Sequence, residues 1–279
     1  MHSPKPTFAP LKIAWLFLFL LLSAGAAEAA RPTLKTINAL PHPGSIAKVR
    51  FKPGEELRFR VHYGMLNAGR MVLKVDDRMY EHQGQECFRI IGKGRTISAF
   101  EWFYKVRDEF YTYVDRDQIR PLKYRRKSRE GDYRFQDEVT FDYASRTISG
   151  TRGVFPMKPN TQDLLSAFYY ARCLDLRNAP IGTVYQINTF LDDEIYPLGM
   201  KVKGKETIRT DVGTFRTIKI VPIVVDGRVF KGEEEMTIWV TDDENLMPLE
   251  VKSKLSVGSA RATLTDFENL RYPLTSRVN

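Results

Sequence analysis

GEELRFRVHYGMLNAGRMVLKV, residues 54–75, decides the fold class. Leu57, Phe59, Val61 and Tyr63 alternate with Arg58, Arg60 and His62, which is the two-residue period of a strand with one face buried. Gly64 permits a bend. After Ala68 and Gly69 the alternation resumes at Met71, Leu73 and Val75, so the segment predicts an antiparallel pair whose connection uses glycine for unusual backbone angles.

Working outward, the same pattern recurs at 86–93, 101–114, 121–130, 133–143, 183–191, 199–209, 213–225, 235–241, 246–256 and 259–267. Gly, Asp and Asn turns separate these runs, and no helices alternate with them as a parallel α/β fold would need. One segment differs. TQDLLSAFYYARCLDL, 161–176, has no Gly or Pro, Asn160 or Thr161 can cap it, and Asp163 suits the positive end of a helix. Its apolar residues spread around more than one face, so it should be enclosed on several sides. The expected fold is therefore mostly β, an antiparallel sheet curled into a barrel or half-barrel around one central α-helix. The expected organisation is a signal peptide over 1–29, a flexible leader over 30–50 with three prolines, a single β-rich domain over 51–270 and a tail over 271–279.

The composition, 43% hydrophobic and 28% charged, excludes disordered, collagen-like and coiled-coil classes. Lys5 and Lys12 precede the apolar run IAWLFLFLLL (13–22), and SAGAAEAA follows with small residues at signal-peptidase spacing. That run is half the length of about 20 residues needed to span a bilayer, so the reading is a cleavable export signal and a periplasmic location, assuming a Gram-negative source. No Cys lies near the cleavage site to carry a lipid anchor. The net charge of +9 becomes +8 without Lys5, Lys12 and Glu28, a balance that favours anionic surfaces. Export makes nucleic acid an unsuitable partner and leaves a lipid or anionic envelope component, with peripheral membrane contact.

Three stretches carry a resemblance: GEELRFRVHYGMLNAGRMVLKV (54–75), DLLSAFYYAR (163–172) and IWVTDDENLMPLEVKSKLSVGSARATL (238–264). In this order they resemble the bacterial exported family known as domain of unknown function 3108. The resemblance implies a β-rich, barrel-like periplasmic domain wrapped on a helix. It implies no catalytic residues.

On a strand over 121–130, Lys123, Arg125, Lys127 and Arg129 share one face, a cationic ladder for phosphate, headgroups or acidic glycans; the competing reading is a solvated face or a charged, protected edge. Arg172 is the lone charge on an apolar helix and must pair, snorkel or meet a ligand, while Tyr169 and Tyr170 line a cavity or the core. Asp163 and Arg172, nine positions apart, lie on different helix faces and each needs another partner. Asp242, Asp243, Glu244 and Asn245, and separately Asp192, Asp193 and Glu194, read as turns, with carboxylate chemistry on polysaccharide as the alternative. Ser166 lacks a nucleophile-elbow context. Cys87 and Cys173 are permitted but not required to pair, and His2, His42, His62 and His82 show no metal-ligand spacing. No cofactor motif appears. Taken together, the sequence favours a non-enzymatic binding or scaffold protein holding a lipid or other amphipathic ligand, with a carboxylate enzyme or a cationic interaction protein as alternatives.

Overall fold

A computed structural model of the chain describes residues 46–102, 104–224, 236–255 and 258–278. The signal peptide expected over 1–29, the expected cleavage site and the expected leader as far as residue 45 lie outside the described residues.

Side-chain alternation builds nearly everything. Strands β1 (Glu56–Tyr63), β2 (Leu66–His82), β3 (Gln85–Thr96), β4 (Val106–Asp115), β5 (Pro121–Glu130), β6 (Tyr133–Asp142), β7 (Thr147–Gly150) and β8 (Gly153–Pro156) follow one another as antiparallel neighbours. After β9 (Thr161–Gln162) and a helix come β10 (Val184–Leu191), β11 (Glu194–Thr210), β12 (Gly213–Val224), β13 (Met236–Thr241), β14 (Pro248–Lys254), β15 (Ser259–Glu268) and β16 (Arg277–Val278). The two runs join where β1 pairs with β15, giving one large, mostly antiparallel sheet. Only β9 with β10 pairs in parallel among the described strands. In β4 the burial alternates without a break: Val106, Asp108, Phe110, Thr112 and Val114 face inward. Two-residue turns tighten the hairpins. Asp192 and Asp193, both at positive φ, close β10 onto β11, and short polar side chains tolerate that region better than most.

The curl is incomplete as a ladder. β8 and β9 are the two ends of the sheet order and do not pair, so the barrel expected from the sequence is not closed by backbone hydrogen bonds. Side chains cross between the two runs instead: Arg152, in the β7–β8 turn, meets Asp193 at 2.7 Å, Arg126 of β5 reaches Asp192 at 3.4 Å, and Phe155 of β8 packs on Phe190 of β10 at 5.5 Å.

The helix is shorter than its sequence pattern suggests. A single turn, α1 (Ser98–Glu101), ends where the predicted strand 101–114 begins, β4 starts only at Val106, and α2 spans only Leu164–Arg172. Its cap is neither Asn160 nor Thr161, since β9 occupies Thr161–Gln162. Asp163 caps it: the carboxylate accepts from Leu165 N and Ser166 N at 2.9 Å each, and Ser166 Oγ accepts from Asp163 N at 2.9 Å. This reciprocal box satisfies the first orphan amides and fixes where the helix starts. α2 packs against β3, β4, β9 and β10, and one face borders a cavity, so it is not a central rod around which the sheet closes. Phe51 wedges between Tyr169 and Phe88, at 4.9 and 5.2 Å between ring centres, and ties helix to sheet.

The ends of the domain also differ from the sequence expectation. Arg50 is buried and Ile46 and Val49 pack on the core, so residues 46–50 belong to the packed body and not to a flexible leader. At the other end β16 pairs with β12, and Ser276 is buried, so residues expected as a tail are anchored.

Candidate functional site

Between α2 and the β12–β15 side of the sheet lies a cavity of about 100 Å³. Leu164, Ala167, Phe168 and Ala171 line it from the helix; Phe59, Met71, Met200, Ile220 and Ile238 are among the residues lining it from the sheet. The lining is almost wholly apolar, with Thr189 and Arg172 the exceptions. A void lined this way has nothing to offer water; its volume is below the roughly 150 Å³ of an apolar cavity that takes up benzene. Three methionines, Met71, Met200 and Met236, give the walls adaptable side chains.

Arg172 lines this cavity, yet its charge is already answered. Its guanidinium donates to both carboxylate oxygens of Glu55, at 2.6 and 3.0 Å, and to the backbone oxygen of Asn245 at 3.2 Å. Both side chains are buried, so the ion pair is a structural bolt between α2 and the entry to β1. Tyr169 is fully buried in the core, and neither it nor Tyr170 lines the cavity. The two tyrosines belong to packing.

Lys123, Arg125 and Lys127 do share the outward face of β5, but they stand away from the cavity lining. β5 lies between β4 and β6, so the charged-edge reading is incorrect. Acids sit opposite the ladder: Glu138 of β6 faces Arg125 and binds Lys123 at 2.8 Å, and Glu109 of β4 faces Lys127. The structure therefore separates the sequence candidates into an outward cationic strand and an inward helix, and does not bring them together.

The acidic stretches are structural nodes. Asp243 is fully buried in the β13–β14 turn, accepting from Thr241 Oγ1 at 2.8 Å, Asn245 N at 3.0 Å and Ser276 Oγ at 2.7 Å. Glu244 pairs with Lys48, Arg50 and Arg177, and Asp242 with Lys205. Asp192 and Asp193 are taken up by Arg126 and Arg152 on a different turn. Cys87 and Cys173 are buried free thiols, and burial pushes each up to about 11. Among the described residues no group of three His, Cys, Asp or Glu side chains is placed to hold a metal ion.

Sequence reasoning missed Asp108. It faces inward on β4 opposite Ser128 of β5, and the Ser128 hydroxyl and Arg129 backbone only partly offset its burial. Burial first, and the nearby charge of Glu130 second, raise its carboxyl to about 7. An Asp on the apolar parity of a strand, with Val106, Phe110 and Val114, was the available signal.

The family model described as protein of unknown function, DUF3108, matches residues 58–265. The chain belongs to this family. The match spans β1 to β15 and so includes the cavity walls. No curated protein matches this DUF3108 chain. Among solved structures, it is similar to a β-barrel-like protein of domain of unknown function DUF1849 from Brucella abortus, at 12% identity and a TM-score of 0.53, covering 80% of this chain and 99% of that one. That likeness shows the fold alone. A protein described as exported, with a YmcC-like fold, from Bacteroides fragilis matches at 11% identity and a TM-score of 0.29, covering 79% of this chain and 100% of that one. A protein described as a lipoprotein from Parabacteroides distasonis matches at 10% and 0.28, with the same coverage. Scores this low carry no argument. No helix among the described residues is long and apolar enough to cross a membrane.

Proposed function

We propose that this DUF3108 protein is an exported, periplasmic binding protein whose curled sheet holds the apolar part of a lipid or other amphipathic envelope molecule. One observation carries the reading: the cavity between α2 and the sheet, walled almost entirely by aliphatic, aromatic and methionine side chains. Protein interiors are packed to crystal-like density, so an apolar void of this size forfeits contacts that an occupant restores. Export is supported by the basic start, the ten-residue apolar run and the small residues of 1–30. The basic surface, with Lys123, Arg125 and Lys127 on β5, favours approach to anionic headgroups without forming the binding site.

The carboxylate-enzyme alternative gains no support, because the two acidic stretches sit on separate turns and are consumed by hydrogen bonds and ion pairs. Organic extraction of the natively purified protein followed by mass spectrometry tests the proposal. Stoichiometric recovery of an alkyl- or isoprenoid-bearing molecule supports it. An empty protein that also fails to bind the neutral apolar dye N-phenyl-1-naphthylamine refutes it.

A further inference from the structure

Besides the ion-paired Arg172, the described cavity lining has one polar residue, Thr189, and its chemistry restricts what fills the space. Thr189 lies in the inward row of β10 with Tyr185, Ile187 and Leu191, and it lines the cavity. In the parallel pairing of β9 with β10, Gln162, which is not itself a lining residue, is its direct partner. Directly paired residues project from the same face of a sheet, so the Gln162 amide and the Thr189 hydroxyl are inward neighbours. Both residues are buried, at 0% and 3% exposure. Yet Gln162 Oε1, Gln162 Nε2 and Thr189 Oγ1 have no hydrogen-bond partner among the described residues. Burying three unpaired polar atoms is costly unless something pairs with them.

We propose that Gln162 and Thr189 recognise the head of the bound molecule, a neutral group that both donates and accepts hydrogen bonds, such as a hydroxyl or a protonated acid, at the end of an apolar chain. This rests on the apolar-cavity reading and makes it more specific. The amide supplies two N–H donors and a carbonyl acceptor, and the threonine hydroxyl can donate or accept. A charged head has no counter-ion here, because among the described residues Arg172 is the only charged one lining the cavity and Glu55 already neutralises it at 2.6 Å. Burying a bare charge against this lining is disfavoured.

The test uses the mature chain and three probes of one chain length: 1-octanol, 1-fluorooctane and octyl sulfate, each competing with N-phenyl-1-naphthylamine. The expected result is about tenfold tighter binding of octanol than fluorooctane, from the hydrogen bonds that fluorine does not make, with octyl sulfate weakest. Thr189→Val and Gln162→Leu should bring the octanol-to-fluorooctane ratio to about one while fluorooctane binding persists. Thr189→Val keeps the side-chain shape, so it serves if Gln162→Leu does not fold. Equal binding of octanol and fluorooctane by the unmodified protein would overturn the head-group assignment but leave the apolar cavity standing, and tightest binding of octyl sulfate would overturn its neutrality. Failure of the dye and every probe to bind would instead overturn the cavity reading, and this inference with it.

Discussion

Replacing Glu55 with Gln keeps the side-chain shape and removes the charge that answers Arg172. The guanidinium is then left 2% exposed with only neutral acceptors, the carbonyls of Asn245 and Arg50 and the new amide oxygen. Breaking a buried ion pair from one side costs about 3–5 kcal/mol, because the remaining charge is desolvated without compensation. For a body of this size, about 2–4 °C of melting temperature per kcal/mol translates that into a fall of roughly 6–20 °C. Urea denaturation of the protein, with the slope checked for constancy, gives the free-energy loss directly. The double variant Glu55→Leu with Arg172→Met should be milder than the sum of its parts, since it removes both charges and leaves only two backbone carbonyls short of a donor. A loss under about 1 kcal/mol for Glu55→Gln, or a double variant no better than additive, would refute the bolt between α2 and β1.

Two further predictions concern β4 and β2. Asp108 has a folded-state carboxyl raised to about 7, so the folded protein holds a proton that the unfolded chain releases at ordinary Asp values; stability falls as pH rises from about 4 through 7. Asp108→Asn should therefore gain about 1 kcal/mol or more over the unmodified protein at pH 8 and lose that advantage at pH 4, read by urea midpoints, and an advantage independent of pH would contradict the assignment. Gly69 faces the neighbouring strand so closely that a Cβ would sit 2.6 Å from the Arg95 carbonyl oxygen, so Gly69→Ala should cost about 1–3 kcal/mol; a neutral result in thermal melts would show that β2 and β3 yield easily.

The long strands were legible because each has enough residues to display its period. β5 falls at 121–130, as the alternation predicts, and the Leu57, Phe59, Val61 row of β1 turns inward as expected. Short strands were not legible. β7 and β8 have four residues each and β9 and β16 two, too few to separate a period from chance, and β9 took over the first residues of the predicted helix. The predicted strand 101–114 started early because α1 and the residues after it carry aromatic side chains that mimic a strand's composition. Among the candidate residues, Arg172 was recognisable as needing a partner, but Glu55 lies 117 positions away and only the fold brings the two together. The cavity was invisible for a related reason. It is a gap left by packing between Phe168 and Ala167 on α2 and distant sheet residues such as Phe59 and Ile238, and no local pattern encodes a gap.

Dye titration of an Ala167→Phe variant tests the central claim most directly. Ala167 is buried and lines the cavity, and a phenyl ring there occupies the space assigned to ligand. The account predicts saturable binding of one N-phenyl-1-naphthylamine per unmodified protein and at least a tenfold loss in the variant, with circular dichroism unchanged. Equal affinity in the two folded proteins would contradict it.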